Sequence, residues 1–497
     1  MSIGSHIICL LAAGFSTIQA GTAAAQAVNS PDTSAAIVTR HSGRFNGQKV
    51  QYRALVETTD VVVSGLAGGA RIVSFAYLAD GDRRGQRPII FLFNGGPIVP
   101  SIWLHIGAFG PKRVVVPPDL SAPASRYVLF DNPDSVLDVA DLVFIDPATT
   151  GYSETLPGTP PGAFHSVDAD ARQTSEFIAR WLRDHGRSSS PFYILGESYG
   201  TIRAPVTARL LAERPQPLLA TGLILLGQAT NIVEYVQRSG NIMSFVASLP
   251  TEAAVAWHHG RVRKEGTDFA RFVREADDFA QHAYLDALNQ GNLLPEAERQ
   301  KIAERLSGYI GISADWLMEH DLRITKQQFR VELLRDRGLL LGQVDARYAA
   351  PITDKGATAD PAGVIDDGFA TLWQRYLESD LRAARATPYR MIGDVSGGLE
   401  AWNWGGASPF SDWPWPQEIS KMMRLKPDFR VMVGNGWSDM QTTVGAAELL
   451  LRQAGWPRDR SELHVYDGGH MFYTVDTSAT AVTKDVRRFV STGEAAK

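Results

Sequence analysis

Two styles of hydrophobic patterning divide the chain. From about Ala35 to Ala79, apolar and polar residues alternate in short segments such as Val50-Gln51-Tyr52-Arg53-Ala54-Leu55-Val56 and Ile72-Val73-Ser74-Phe75-Ala76-Tyr77, with Gly65, Gly68 and Gly69 between them. Period-two alternation bounded by turn residues predicts antiparallel strands. Later segments are apolar at every position: Pro88–Phe93, Leu142–Ile145, Phe192–Leu195, Leu223–Leu226 and Val431–Val433. Such runs predict strands buried on both faces, as in a parallel sheet. Between them, Ser166–His185 places Val167, Ala171, Phe177, Ile178, Trp181 and Leu182 largely on one helical face. Asp168 and Asp170 fall in its first turn, where the helix dipole favours negative charge. Strands alternating with helices predict an α/β sheet.

The alternation stops near Ile232 and resumes with Phe429–Val433 and Leu463-His464-Val465-Tyr466. The predicted organisation is therefore an α/β core in two parts, residues 28–231 and 428–497, split by a mainly helical insertion over residues 232–427. Seven of the 11 tryptophans lie in that insertion; Trp402, Trp404, Trp413 and Trp415 are expected to pack it onto the core, with lining of an apolar pocket as the alternative.

Composition narrows the function classes. With 497 residues, 44% hydrophobic and 21% charged, the chain affords a large core, and its net charge of −5 argues against a nucleic-acid partner. Residues 1–27 hold no Asp, Glu, Lys or Arg, contain the apolar stretch Ile7–Phe15, and end in Ala25-Gln26-Ala27. This predicts a cleavable signal peptide, and no later run is long enough to span a bilayer. Cys9 is the single cysteine, so the mature chain holds none, which fits a periplasmic or otherwise secreted bacterial enzyme without disulfides. No metal is expected: His258 and His259 are adjacent and should point apart on a helix, and there is no Cys cluster or H-E-x-x-H. Gly65–Gly69 lacks the dinucleotide-binding spacing, so no cofactor is indicated.

The chemistry lies at the ends of the apolar runs. Gly196-Glu197-Ser198-Tyr199-Gly200 follows one run and precedes a helical pattern from Arg203 to Glu213, the strand–turn–helix context of a nucleophile elbow. A serine nucleophile needs a base, and the base an orienting acid. Asp439 follows Val433-Gly434-Asn435-Gly436, and His470 follows the last strand between Gly468-Gly469 and Met471. Asp412, Asp467 and Asp476 are rival acids by residue type. The oxyanion requires two fixed donors, expected at the amide of Tyr199 and in the loop Asn94-Gly95-Gly96-Pro97.

Together these segments resemble the serine carboxypeptidase family (peptidase family S10). The matches are Asn94-Gly95-Gly96-Pro97, Gly110-Pro111, Phe144-Ile145-Asp146-Pro147 with Gly151-Tyr152-Ser153, Gly196-Glu197-Ser198-Tyr199, Asn435-Gly436 with Asp439, and Gly469-His470-Met471. The resemblance implies an α/β-hydrolase fold with a large helical insertion before the last strands, and removal of C-terminal residues from peptides. It implies Ser198 as nucleophile, His470 as base, Asp439 as its orienter, and oxyanion donors at the amides of Gly96 and Tyr199. Asn94, Gly95 and Glu197 would hold the peptide's terminal carboxylate, a task Glu197 performs only when protonated. Three departures accompany these matches. Ile98-Val99-Pro100 follows the Gly-Gly-Pro, where a β-branched residue in place of glycine is expected to strain the backbone or shift Gly96. Ala108 stands where the family has a glutamate, and the family's disulfides cannot form. An esterase or acyltransferase with the same triad, or an impaired peptide-binding homologue, are the alternatives. The sequence is silent on oligomeric state.

Overall fold

The computed structural model describes residues 36–81, 85–352, 360–393, 395, 398–405 and 412–494. The expected signal peptide, residues 1–27, lies outside the described residues.

Three long strands open the fold: β1 (Ile37–Phe45), β2 (Gln48–Val62) and β3 (Gly69–Ala79), each antiparallel to the next. They are longer than the short alternating segments predicted, because β2 runs through its polar positions without a break. The apolar runs follow as β4 (Ile89–Phe93), β5 (Asp141–Asp146), β6 (Phe192–Glu197), β7 (Gly222–Leu226) and β8 (Arg430–Gly436), and the half-buried β9 (Ser461–Tyr466) closes the sheet. The sheet order is β1-β2-β3-β5-β4-β6-β7-β8-β9, parallel from β5 to β9, with Glu154–Thr155 paired to β3. This mostly parallel sheet, flanked by helices on both faces, is an α/β-hydrolase fold.

Strands β4 and β7 carry no polar side chain because both faces are covered. Ile90 and Leu92 of β4 point into one core, and Ile89, Phe91 and Phe93 into the other. Helices α1 (Val167–Asp184), α2 (Gly200–Ala212), α6 (Trp415–Leu425) and α7 (Val444–Gln453) pack the second face. Helices α5 (Val364–Ser379) and α8 (Asp476–Glu494) pack the first. Ser166 caps α1, its hydroxyl accepting the Ala169 N–H.

The stretch 232–427, which lies between β7 and β8, packs in two ways. Residues from Phe245 to Ala346, including α3 (Leu249–His258) and α4 (Lys326–Glu332), form their own apolar cluster together with Met440. Phe369, Trp373 and Tyr376 of α5 instead join the main core, as do Ile419 and Met422 of α6. A helix that covers a sheet and a helix that builds a cap share the same 3.6-residue period, so the pattern alone could not separate them. A short antiparallel pair, Leu339–Leu341 with Ala349–Pro351, also lies in this stretch. His258 and His259 do not point apart: their rings meet edge to face at 4.9 Å. His258 ends α3 and His259 is already its C-cap, so the helical rotation no longer applies between them.

Candidate active site

The site sits at the carboxyl ends of the parallel strands, where open α/β sheets place their ligands. At the end of β6 the chain turns sharply into α2, and Ser198 adopts φ = 58°. A side chain in that left-handed region costs of order 1–3 kcal/mol and is held by its surroundings. The Ser198 N–H donates to Leu226 O at 2.9 Å, and its carbonyl accepts from Thr201 N–H and from the Thr201 hydroxyl. Gly196 is a steric requirement, since a Cβ there would collide with the Gly200 carbonyl, and Gly200 is a tight position, where a Cβ would lie 3.0 Å from Phe93 O.

The Asn94-Gly95-Gly96-Pro97 loop leaves β4 beside the elbow. A Cβ on Gly95 would lie 2.5 Å from Tyr199 N and 2.8 Å from Ser198 Cβ, so only glycine allows this approach. Gly96 has φ = 102°. Ile98 is not among the residues with positive φ; it packs with Tyr199 and Trp402 in an apolar cluster, so the expected strain at this departure is absent. The loop is fastened from beneath by Arg203, which is fully buried on α2. Its Nη1 and Nη2 donate to Asn94 O and Pro97 O, each at 2.8 Å, and its Nε donates to Asp170 Oδ2 at 2.6 Å. Burial pushes the Asp170 carboxyl up, while the Arg203 charge and hydrogen bond oppose that shift.

Asp439 and His470 meet on the far side of the elbow. Asp439 is fully buried; its Oδ2 lies 2.7 Å from His470 Nδ1 and accepts from the Thr442 hydroxyl at 2.6 Å. Its Oδ1 accepts the Gln441 and Thr442 N–H groups at 2.8 and 2.9 Å. Asn435 braces this turn by donating to Thr442 O. With all four contacts directed at a carboxylate, the geometry selects the tautomer with hydrogen on Nδ1 of the ring. The other ring nitrogen, Nε2, is buried without a hydrogen-bond partner. The ring packs against Gly227, which directly follows the Leu226 carbonyl that binds the Ser198 N–H. The Ser198 hydroxyl does not bond Nε2; such contacts tighten when substrate enters. Burial alone would lower the His470 basicity, but Asp439 outweighs it, aided by the Glu197 charge, and the imidazole titrates above its ordinary value. The rival acids do not reach the ring: Asp412 and Asp467 are exposed, and Asp476 pairs with Arg113.

Glu197 is buried beside these groups. Its Oε2 accepts from Asn94 Nδ2 at 2.6 Å and from the Tyr473 hydroxyl at 2.7 Å. Burial raises its carboxyl to about 7, with the His470 charge and the Tyr473 hydrogen bond opposing the rise. Ala108 is fully buried among apolar residues, so it offers no second acid, and the ring of Tyr473 lies against neighbouring Gly107. Trp402 and Trp415 are buried against α1 and α2, as packing predicts, while half-buried Trp404 meets the Tyr199 ring edge to face at 5.8 Å.

Four contributors escaped sequence reasoning. Arg203 reads as a solvated helix charge, although Ile202 and Ala204 beside it signal a helix apolar on all sides. Tyr473 reads as one more core aromatic after His470. The other two come from the cap: Val344 O accepts the His470 N–H, and Asp345 accepts the Gly469 N–H. No local signal announces contacts across 124 residues.

A family model described as Serine carboxypeptidase matches residues 74–281. Over this segment the chain is similar to the serine carboxypeptidase family. The match includes the Asn94–Pro97 loop and the elbow, and ends before Asp439 and His470. Serine carboxypeptidase-like 2 of Arabidopsis thaliana is 27% identical over 154 residues, which is 30% of this chain and 33% of that protein. Serine carboxypeptidase-like 36 of the same plant is 29% identical over 143 residues, 28% of each chain. The matched region thus spans about a third of the length of these curated relatives. Among solved structures, a proline iminopeptidase from Mycobacterium smegmatis has a TM-score of 0.36 and 11% identity, covering 88% of this chain and 99% of that one. A carboxyl esterase from Bacillus coagulans has the same TM-score and identity, covering 88% and 98%. Likeness at that level adds nothing to what the sheet topology establishes.

Proposed function

We propose that the protein is an exported serine carboxypeptidase that works through an acyl-enzyme. Ser198 Oγ attacks the scissile carbonyl while His470 Nε2 takes its proton, and Asp439 stabilises the imidazolium that forms. The amides of Gly96 and Tyr199 receive the oxyanion; neither is a donor in the hydrogen bonds that shape the elbow and its loop. The imidazolium then protonates the departing amine, and water attacks the acyl-enzyme by the same route in reverse.

The observation that carries the reading is Glu197. Two donors occupy its Oε2, so when the group is neutral its proton belongs on Oε1. A carboxylic acid presented this way beside the nucleophile donates to a carboxylate, and with Asn94 and Gly95 it suits the free end of a peptide. A second reading, an esterase or acyltransferase with the same triad, is favoured by Ala108, because Glu197 has no second carboxylic acid to share its proton.

The test is hydrolysis of an N-blocked dipeptide from acid to neutral pH, with a p-nitrophenyl ester alongside and Ser198→Ala as control. Release of the C-terminal amino acid by the parent alone supports the carboxypeptidase. Ester cleavage without peptide cleavage moves the enzyme to the second reading. Inertness toward both, with no labelling of Ser198 by a fluorophosphonate, indicates a binding homologue.

A further inference from the structure

Beneath the triad acid lies a polar cluster in which the cap meets the core. Lys326, the first residue of α4, is half-buried, and its Nζ donates to the carbonyl of Gln441 at 2.8 Å. The N–H of that same Gln441 donates to Asp439 Oδ1. The ammonium also lies 5.2 Å from the centre of the buried Tyr235 ring, and the Lys326 backbone N–H is held by the Gln237 side chain at 2.7 Å. The same turn is tied to the cap at further points: Thr443 donates to Ala247 O, Val444 N–H to Thr251, and Met440 N–H to Gln343 O.

We propose that Lys326 is a positioning residue for the triad: it fixes the Asp439 turn through the Gln441 carbonyl and sets a cation close to the carboxylate. A cation there opposes a second positive charge on His470 while leaving the Asp439 anion in place. The groups facing His470 are Asp439, Glu197 and Lys326; those facing Lys326 are Asp439, Glu252 and Tyr235. Burial lowers the Lys326 ammonium to about 8, and burial raises Glu252 to about 8. Below that pH Lys326 is therefore charged and Glu252 is mainly neutral, so the cation is uncompensated from that side while His470 titrates. The sign follows: removing the cation raises the proton affinity of His470, and the neutral base needed for attack appears only at higher pH.

The experiment reads the rate of Ser198 labelling by a fluorophosphonate against pH, which reports the base without requiring any peptide substrate. Failure of the carboxypeptidase reading therefore leaves this test intact. In Lys326→Met the acid limb is expected to move up by roughly 0.5–1 pH unit, seen below the limb as a roughly three- to tenfold slower labelling at fixed pH. Lys326→Arg, which keeps charge and donor, restores the limb. Lys326→Gln keeps a donor without the charge and serves if the methionine variant melts early; it is expected to show the same shift. A uniform fall in rate with the limb unmoved in Lys326→Gln, or an arginine variant shifted as far as the methionine one, overturns the proposal and leaves Lys326 a purely structural contact.

Discussion

Replacing Tyr473 by phenylalanine removes one hydroxyl and keeps the ring that lies against Gly107. The lost group is one of two donors on Glu197 Oε2, at 2.7 Å. A hydrogen bond to an ionised carboxylate contributes about 1.5–3 kcal/mol and one to the neutral acid about 0.5–1.5 kcal/mol, so deletion disfavours the anion by about 1–1.5 kcal/mol relative to the acid. At about 1.4 kcal/mol per pH unit, the Glu197 transition moves up by about one unit from its value of about 7. If, as proposed, the neutral acid holds a terminal carboxylate, the rise of KM with pH for an N-blocked dipeptide should begin about one unit later in the variant. The p-nitrophenyl ester has no carboxylate to bind, so its KM profile should stay where it was. A dipeptide profile that is unmoved or shifted to lower pH, or an ester profile that shifts equally, would refute the reasoning.

Further outcomes rest on the oxyanion loop. Arg203→Met leaves Asp170 buried without its cation and strips donors from Asn94 O and Pro97 O, so a loss of about 3–5 kcal/mol is expected in denaturant unfolding. Arg203→Lys should not recover it, because a single ammonium lacks the planar fork that serves three acceptors. Gly95→Ala drives a methyl group to 2.5 Å from Tyr199 N; fluorophosphonate labelling should fall by about 100-fold or more while the circular dichroism spectrum is retained.

What the sequence revealed follows from how local each signal was. The parallel strands were legible because burial on both faces leaves no polar position, as in Ile89–Phe93. The elbow and the loop were legible because glycine is a steric necessity there, at Gly95 and Gly196. Arg203 was hidden because its three acceptors come from two other segments of the chain, around Asn94 and at Asp170. Val344 and Asp345 were hidden for a related reason. They approach Gly469 so closely that a Cβ there would strike the Val344 carbonyl, yet from sequence Gly469 reads only as turn chemistry before a histidine. The packing partners of the helices in 232–427 were not legible because a helical period reports an apolar stripe and not the partner that buries it.

The site also contains a proton-counting problem that its neighbours address. On the proposed mechanism, attack needs a neutral His470, and holding a carboxylate needs a neutral Glu197. That pair of states carries as many protons as the ion pair of imidazolium and carboxylate, so solution pH cannot select between them. Each group senses the other's charge, and a Glu197 anion makes His470 more basic. The choice must come from fixed groups and from substrate. Tyr473 and Asn94 favour the Glu197 anion; Lys326 disfavours the imidazolium. An arriving terminal carboxylate adds a second weight against the anion, because it repels an ionised Glu197 and accepts from a neutral one. On the proposed carboxypeptidase reading, substrate binding would drive a proton from His470 toward Glu197 and so create the base at the moment it is needed. An ester without a carboxylate supplies no such push, so on this arrangement the dipeptide should gain more in kcat than in KM from its free terminus. A gain confined to KM would mean that Glu197 only binds and leaves the base unchanged.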